Sequence, residues 1–170
     1  MVMKIEKPAV FLDRDGVLNE DLGYVFEPKK FHWIDGAIET IKYINNMNFF
    51  VFVISNQSGL ARGYFYKNDI EMLHNWINEE LLKNDAKIDK FYYCPHHPQG
   101  IIKEYSFTCR CRKPEPGMIL NAFKEWPIVK SKSFMIGDKA SDIKAANSAG
   151  IAGHLFKGGN LLNFFKNILI

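Results

Sequence analysis

The sequence predicts an α/β fold, with a doubly wound, Rossmann-like parallel sheet, on three observations. Short apolar runs alternate with stretches in which apolar residues recur at helical spacing, the order expected of parallel strands joined by helices. Three of the runs end abruptly in polar residues, as buried strands do at their carboxyl ends. No repeat, low-complexity tract or linker interrupts the 170 residues, so a single domain over residues 1–170 is expected.

Apolar runs and helical periodicity alternate through the first half of the chain. The predicted elements are a strand at 9–12, a helix at 35–47, a strand at 49–54 and a helix that ends at about residue 83. Asn68 or Asp69 is expected to cap that last helix, because both side chains accept hydrogen bonds from free backbone N–H groups. The first half therefore supplies two strand–helix units.

The same alternation continues in the second half. The predicted elements are a strand at 91–93, a helix at 117–126, a strand at 133–136, a helix at about 141–150, a strand at 151–156 and a helix at 160–170. Ser141 or Asp142 is expected to open the helix that Gly150 ends. The final helix is amphipathic, so we expect it to close the fold and not to anchor the chain in a membrane.

Three aspartates follow predicted strands directly. Asp13 and Asp15 come after the first strand, and Asp138 follows a later one. The carboxyl ends of parallel strands meet at one edge of a sheet, so these side chains are expected to converge. Crowded carboxylates need a cation, and Mg²⁺ is a hard ion that takes carboxylate and phosphate oxygens as ligands. The sequence therefore predicts a magnesium site formed by these three residues.

A magnesium site with two neighbouring acids suits phosphoryl transfer. Asp13 could attack phosphorus to give an aspartyl-phosphate, while Asp15 serves first as acid and then as base. Ser55 and Lys113 could stabilise the charge on the phosphoryl oxygens, and Lys139 could orient the acids. These residues predict a phosphatase that acts on a small phosphorylated metabolite.

All three cysteines of the chain fall within one short segment. Cys94, Cys109 and Cys111, with either His96 or His97, provide the ligands of a closed structural zinc site in a loop at about 94–111. An odd number of cysteines does not suggest a disulfide framework and suits a reduced compartment. Zn²⁺ would hold this loop immediately before Arg112 and Lys113.

The charge balance limits the kinds of partner. With 22 basic and 19 acidic residues the net charge is only +3, so no nucleic-acid partner is expected. The N-terminal residues lack the apolar stretch of a secretory signal, and no run approaches the roughly 20 residues of a membrane span. We therefore expect a cytoplasmic location and no membrane partner, and a monomer is the default expectation. The alternative from another class, a zinc-stabilised module that binds RNA and has no activity, lacks a basic stripe.

Four segments resemble the motifs of the haloacid dehalogenase superfamily of phosphatases, in their usual order. They are Leu-Asp-Arg-Asp-Gly at 12–16, Ser-Asn at 55–56, Lys-Pro at 113–114 and Gly-Asp-Lys-x-x-Asp at 137–142. The resemblance spans nearly the whole chain. It implies the sheet typical of that superfamily, without a large cap domain, because residues 16–35 and 59–68 leave room only for short flaps.

The resemblance also implies a role for each matching residue. Asp13 is the nucleophile, Asp15 is the acid and base and binds Mg²⁺ through its backbone carbonyl, and Asp138 is a further ligand. The phosphoryl group is held by Ser55 and Lys113. Asp142 has a supporting role outside the metal's ligand set, and the preferred fourth zinc ligand is His96.

Further similarity to one group within the superfamily implies the residues that bind substrate. They are Asp21, Leu22, Gly23, Tyr24, Ser55, Asn56, Gln57, Ser58, Arg112, Lys113 and Lys139. Arg112, with the neighbouring lysines, could meet a second anionic group, because arginine suits bidentate contact with phosphate. Arg62 could join them, although a surface cation is the simpler interpretation of that residue. The expected partner is a small phosphorylated sugar.

Overall fold

The computed structural model describes residues 5–169 and contains one five-stranded sheet. Its strands are β1 Ala9–Leu12, β2 Phe50–Asn56, β3 Lys90–Cys94, β4 Phe134–Gly137 and β5 Ala152–Leu155. They lie in the order β3-β2-β1-β4-β5, and every neighbouring pair is parallel. The order reverses on either side of β1, so the predicted doubly wound sheet is confirmed.

Five α-helices connect and cover the strands, in the predicted sequence of elements. They are α1 Ala37–Asn46, α2 Lys67–Leu82, α3 Gly117–Glu125, α4 Ala140–Ala149 and α5 Leu161–Ile168. The left-handed residue Gly150 ends α4 as predicted, and Asn160 caps α5 by accepting the backbone N–H of Asn163. Residue 170, the predicted end of α5, lies outside the described residues.

The predicted starts of α2 and α4 are wrong by one to three residues, for the same reason in both helices. The acid taken as a possible cap lies at the third helical position, and its carboxylate accepts a backbone N–H from the residue before the helix. Asp69 accepts from Tyr66 at 2.8 Å, and Asp142 accepts from Lys139 at 3.0 Å. An acid at either position can satisfy a free N–H group at a helix start, which the sequence alone does not distinguish.

The hydrophobic core consists of two layers, one on each face of the sheet. Val10 and Leu12 face the layer that receives α1, α2 and α5, whereas Ala9 and Phe11 face the layer that receives α3 and α4. All four residues of β1 are fully buried, as a central parallel strand requires. The sheet is thus held rigidly at its centre, and the chain leaves this centre at Asp13.

The segments after β1 and β2 form short flaps and not a domain. Among residues 5–169, the segment at 13–36 contains one 3₁₀ turn, Pro28–Lys30, and the segment at 57–66 contains no helix or strand. The predicted absence of a large cap is therefore confirmed for this part of the chain. No helix among residues 5–169 is both long and apolar enough to cross a bilayer.

Candidate active site

A cleft of about 550 Å³ opens at the carboxyl edge of the sheet, where β1, β2 and β4 end. Most of the residues expected at the active site line this cleft, together with Ser141 and Asp142 from the start of α4. The lining residues are Asp13, Asp15, Asp21, Gly23, Tyr24, Asn56, Gln57, Ser58, Arg112, Lys113, Lys139, Ser141 and Asp142. Three expected residues are not in the lining. Ser55 lies in β2 and Asp138 directly follows β4, two strands that end at the same edge, whereas Leu22 is 55% exposed on a flap.

Lys113 joins two buried carboxylates at the base of the cleft. Its Nζ lies 2.7 Å from Asp13 Oδ1 and 2.7 Å from Asp142 Oδ1, and it also donates to the Ile54 carbonyl at 2.7 Å. Burial disfavours the ammonium, but the two carboxylates outweigh it, and the pKa of Lys113 is raised. Lys113 therefore carries its charge directly beside the predicted nucleophile.

Asp13 is held tightly in a site that does not favour its charge. The Arg14 backbone N–H donates to Asp13 Oδ1 at 2.9 Å, and Lys113 contacts the same oxygen. Burial raises the pKa of Asp13 to about 7, although Lys113 acts to lower it and Asp142 adds to the increase. A second cation, in addition to Lys113, would favour the ionised form of this carboxylate.

Three carboxylates converge with a geometry that fits a divalent cation. One oxygen each from Asp13, Asp138 and Asp142 lies within 4.8 Å of the others. Asp138 Oδ1 is buried and has no hydrogen-bond partner among the described residues, and burial raises the pKa of Asp138. Both oxygens of Asp142 are engaged, Oδ1 by Lys113 and Oδ2 by the Lys139 N–H, whereas Asp13 is engaged by Lys113 through Oδ1 alone. Asp13 and Asp138 are therefore the carboxylates that keep an oxygen for Mg²⁺.

Gly16 gives the Asp138 carboxylate room to approach the nucleophile. A Cβ atom at position 16 would lie only 2.2 Å from Asp138 Oδ2, and the φ angle of +93° also favours glycine. A glycine after Asp-x-Asp is therefore required both by the turn and by the close contact with the next strand end.

The Asp15 carboxylate does not join this cluster, so the expectation that all three predicted acids gather their side chains around the ion is wrong. Both Asp15 oxygens lie 3.0 Å from Arg14 Nη2, and Asn19 and Gln57 donate to them at 3.0 and 3.1 Å. The strand ends at Leu12, so strand alternation does not extend to position 15. Asp142 is the third member of the carboxylate cluster in place of Asp15. That Asp15 binds Mg²⁺ through its backbone carbonyl stays a prediction.

Arg14 is a buried residue of this site that sequence reasoning missed. Its side chain is fully buried, and Nη2 donates to the Val25 carbonyl at 2.6 Å as well as to Asp15. The available signal was a basic residue between two acids, which suggests a charge partner for one of them. Arg14 thereby ties the first flap to the residue predicted as acid and base.

Gln57 and Asn56 position two of the predicted phosphoryl-binding groups. Gln57 Nε2 donates to Ser55 Oγ at 2.5 Å and to Asp15 at 3.1 Å, which links the serine to the acid. Asn56 donates to the Lys113 carbonyl at 3.1 Å and accepts the Lys113 N–H at 3.0 Å. The Asn56 amide is thus committed to the main chain at Lys113, although this residue was expected to bind substrate.

Lys139 lies at the rim of the cleft and pairs with a flap residue. Its Nζ is 3.0 Å from Asp21 Oδ2. Burial acts to raise the pKa of Asp21, but the contacts with Lys139 lower it more, so the pKa of Asp21 is lowered. The expectation that Lys139 orients Asp13 and Asp15 is therefore wrong in its geometry, since its contact is with Asp21.

The three cysteines and His96 form a compact cluster in the predicted loop. The sulfur of Cys94 lies 3.4 Å from Cys109 Sγ and 3.0 Å from Cys111 Sγ, and His96 Nδ1 lies 3.3 Å from Cys111 Sγ. The hydrogen bond with Cys94 is the largest influence on Cys111 and lowers the pKa of that thiol to about 5, although burial opposes it. A Cys₃His set of this kind fits Zn²⁺.

His97 points away from the cluster, with Nε2 3.4 Å from Arg62 Nη2. The geometry therefore favours His96 as the fourth ligand. Cys94 ends β3 and is fully buried in the core layer beneath α3, so one end of the loop is fixed to the sheet. The other end leads directly into Arg112 and Lys113.

Comparison with known proteins relates this chain and its fold to phosphatases. The HAD-hydrolase-like family model matches residues 110–162. A D-glycero-β-D-manno-heptose-1,7-bisphosphate 7-phosphatase from Rhodopseudomonas palustris is 45% identical over 96% of this chain and 91% of its own length. The Escherichia coli K12 protein of the same name is 46% identical over 85% of this chain and 75% of its own length.

A solved structure agrees with these sequence matches. The D,D-heptose 1,7-bisphosphate phosphatase from B. bronchiseptica, crystallised with magnesium and phosphate, superposes with a TM-score of 0.81 and is 30% identical, over 94% of this chain and 86% of its own. The first relative and this structure each cover more than nine tenths of the chain. The chain therefore belongs to the haloacid dehalogenase-like hydrolases, in the branch that contains the heptose-1,7-bisphosphate 7-phosphatases.

Proposed function

We propose that the chain is a Mg²⁺-dependent phosphatase that removes the 7-phosphate of D-glycero-D-manno-heptose 1,7-bisphosphate, in the biosynthesis of nucleotide-activated heptose. The observation that carries the proposal is the buried Asp13 carboxylate, which lies 2.7 Å from the Lys113 ammonium and has an oxygen within 4.8 Å of an Asp138 carboxylate oxygen. The names of the relatives support the choice of substrate. A phosphate group would enter beside Asp13 with two carboxylates and an ammonium already in place.

The residues of the cleft would divide the reaction into two displacements. Asp13 attacks phosphorus and forms an aspartyl-phosphate, while the ester P–O bond breaks and Asp15 protonates the leaving oxygen. Asp15 then takes a proton from water, whose oxygen attacks phosphorus and releases phosphate with Asp13 restored. Lys113 and the Ser55 hydroxyl stabilise the charge on the phosphoryl oxygens. Mg²⁺ held by Asp13 and Asp138 would supply further charge neutralisation.

Zn²⁺ has a structural role in this proposal. Bound to Cys94, His96, Cys109 and Cys111, it would fix the loop that leads into Arg112 and Lys113, because the metal replaces a core that the loop lacks. The location in the cytoplasm and the monomeric state expected from the sequence stay predictions.

Histidinol phosphate is the alternative substrate, since its phosphatases share this motif pattern and zinc loop. Arg112 lines the cleft, and no ion pair joins it to a carboxylate among residues 5–169. A free guanidinium suits a substrate with a second anionic group, which the sugar bisphosphate has and histidinol phosphate lacks. The zinc-stabilised binding module does not account for the buried acids, since Asp13 is 5% and Asp142 is 1% exposed.

Phosphate release from the α and β heptose bisphosphates and from histidinol phosphate, with and without Mg²⁺, tests the proposal. We expect faster turnover of a bisphosphate, dependent on Mg²⁺. Asp13→Asn should lower kcat by at least about 10³-fold, because the amide is a poor nucleophile. Asp85→Asn is the matched control, since Asp85 is an exposed acid whose carboxylate pairs with exposed Lys42 at 3.5 Å. Asp13→Asn protein with near-normal turnover would exclude covalent catalysis, and preference for histidinol phosphate would exclude the substrate.

A further inference from the structure

Tyr24 lies in the wall of the cleft with a backbone conformation that tyrosine rarely adopts. Its φ angle is +51°, in the left-handed region where the Cβ atom of most residues is crowded by the backbone. The residue is 45% exposed, so the hydrophobic core does not enclose its ring. A strained residue at a cleft persists only where the surrounding structure holds it. Contacts outside the core must therefore keep Tyr24 in the cleft wall.

Tyr64 provides such a contact from the second flap, residues 57–66. The rings of Tyr24 and Tyr64 meet edge to face, with centroids 4.7 Å apart and planes at 77° to each other. Aromatic pairs prefer this arrangement, and they contribute more than the area they bury. Tyr64 is not among the residues that line the cleft. Any effect of Tyr64 on a substrate in the cleft should therefore pass through Tyr24.

The second flap gives Tyr64 a fixed base. The Tyr64 N–H donates to the Gly59 carbonyl at 2.9 Å, and the next residue, Phe65, is buried in the core. The Phe65 ring stacks on Phe26 of the first flap, residues 13–36, with centroids 5.1 Å apart. Two adjacent residues of the second flap thus contact residues 24 and 26 of the first flap, one pair against the core and the other at the cleft.

The first flap is held on either side of Tyr24 by polar contacts. Asp21 pairs with Lys139 at 3.0 Å, and the Val25 carbonyl accepts a hydrogen bond from Arg14 at 2.6 Å. The Tyr24 ring lies between these two points, and among residues 5–169 the Tyr64 ring is the one aromatic group paired with it. The orientation of the Tyr24 ring therefore depends on the second flap.

We propose that Tyr64 is a positioning residue of the reaction, which holds the Tyr24 ring in the cleft wall so that it packs against the sugar of the substrate. The inference rests on the proposed function, because it assigns the sugar to the side of the cleft that the first flap forms. Without the Tyr64 ring, Tyr24 is free to leave its strained conformation, and substrate binding must restore it. Asp13 and Lys113 are fixed by other contacts, so the cost falls on binding and not on the displacement at phosphorus.

Steady-state kinetics with two substrates test this role. In Tyr64→Ala, KM for heptose 1,7-bisphosphate should rise roughly 3- to 10-fold, the change that corresponds to one aromatic pair, with kcat within about twofold of the unmodified protein. Acetyl phosphate, which has no sugar, should react with an unchanged kcat/KM. Tyr64→Phe should keep the KM of the unmodified protein, because the pair joins two rings and needs no hydroxyl. A loss of equal size for both substrates, or an unchanged KM for the bisphosphate in Tyr64→Ala, would overturn the proposal.

A double-mutant cycle separates positioning through Tyr24 from an independent effect of Tyr64. Tyr24→Ala removes the ring that is positioned, so adding Tyr64→Ala to that variant should change KM for the bisphosphate by less than about twofold. Two effects that multiply would show that Tyr64 acts without Tyr24, and would also overturn the proposal.

Tyr43→Ala is the matched control, since Tyr43 on α1 is a partly exposed tyrosine that pairs edge to face with Phe165, outside the cleft lining. It should lower the midpoint of urea unfolding about as much as Tyr64→Ala and leave the kinetics of both substrates unchanged. The same rise in KM in Tyr43→Ala would attribute the effect of Tyr64 to lost stability and overturn its positioning role. Failure of the proposed function is distinct, because the unmodified protein would then turn over histidinol phosphate faster than the heptose bisphosphate.

Discussion

Single asparagines hold distant main-chain segments in place at three points of this protein. In each case the side-chain amide of the asparagine makes two hydrogen bonds to one distant residue: its nitrogen donates to the backbone carbonyl of that residue, and its oxygen accepts the backbone N–H. The pairs are Asn45 with Lys87, Asn56 with Lys113 and Asn78 with Ile88. Only the pair at Lys113 is in the catalytic cleft. The same interaction therefore serves the fold at two positions and the site at one.

This repetition allows the effect of Asn56 on catalysis to be separated from its effect on stability. Asn56→Ala and Asn78→Ala each leave two partly buried backbone groups without a partner, so both should lower the free energy of unfolding by about 1–3 kcal/mol. Asn56→Ala should also lower kcat by roughly 10- to 100-fold, because Lys113 is no longer held beside Asp13. Urea unfolding and steady-state kinetics of the two variants measure these effects. Equal kcat values would show that Asn56 does not position Lys113.

At the scale of the element, burial made the strands predictable and local turns made the site partly unpredictable. The apolar run at 9–12 coincides with β1, because a central parallel strand is buried on both faces and reads as continuous apolar sequence. Strand β2 continues two residues beyond its apolar run, through Ser55 and Asn56, so it delivers these polar groups while still paired. No hydrophobic signal marks such an extension.

The orientation of Asp15 shows more clearly what the sequence could not predict about the site. The position of Asp13 and Asp15 after one strand predicted that both side chains join the metal site, but the chain turns after Leu12 and buried Arg14 attracts the Asp15 carboxylate. The partner of an acid depends on which distant side chains the turn brings near it. Spacing along the chain carries no information on that, whereas the convergence of strand ends follows from the parallel topology alone.

The loop at 94–111 is expected to depend on bound Zn²⁺ for its structure, and its two neighbouring histidines offer a test. His96→Ala should lose Zn²⁺, because His96 Nδ1 is the nitrogen in the cluster with the three thiols. His97→Ala should keep Zn²⁺, since its Nε2 faces Arg62. Metal analysis of the purified proteins should give about one Zn²⁺ per chain for His97→Ala and well under half for His96→Ala. The reverse result would assign His97 as the ligand.

At the scale of the whole molecule, the apolar core and the catalytic edge have opposite effects on the stability of the fold. The two core layers stabilise the sheet, whereas its carboxyl edge gathers Asp13, Asp138 and Asp142 around one neutralising ammonium, that of Lys113. Crowded buried carboxylates cost free energy unless a cation is bound. The site is therefore a region where the fold gives up stability for function, and Mg²⁺ should recover it.

This conflict predicts how the stability of the Mg²⁺-free protein changes with pH. Burial raises the pKa of Asp13 from 3.8 to about 7, so between those values the folded protein holds a proton that the unfolded chain has released. Stability then falls as the pH rises through this range, because the unfolded state binds fewer protons. The loss should be complete above about pH 7 and absent below about pH 4. Bound Mg²⁺ opposes the shift by stabilising the carboxylate.

Asp13→Asn should remove this pH dependence, because the amide does not ionise. In Mg²⁺-free buffer without chelator, so that Zn²⁺ is retained, the free energy of unfolding of the unmodified protein should fall by roughly 1–3 kcal/mol more than that of Asp13→Asn between about pH 5 and pH 8. Addition of Mg²⁺ at about pH 8 should stabilise the unmodified protein and the Asp85→Asn control, and should have less effect on Asp13→Asn. Urea unfolding at the two pH values measures each difference. If the unmodified protein and Asp13→Asn lose stability equally between the two pH values, Asp13 is not the buried acid that opposes folding. The carboxylate cluster would then not destabilise the Mg²⁺-free fold as we predict.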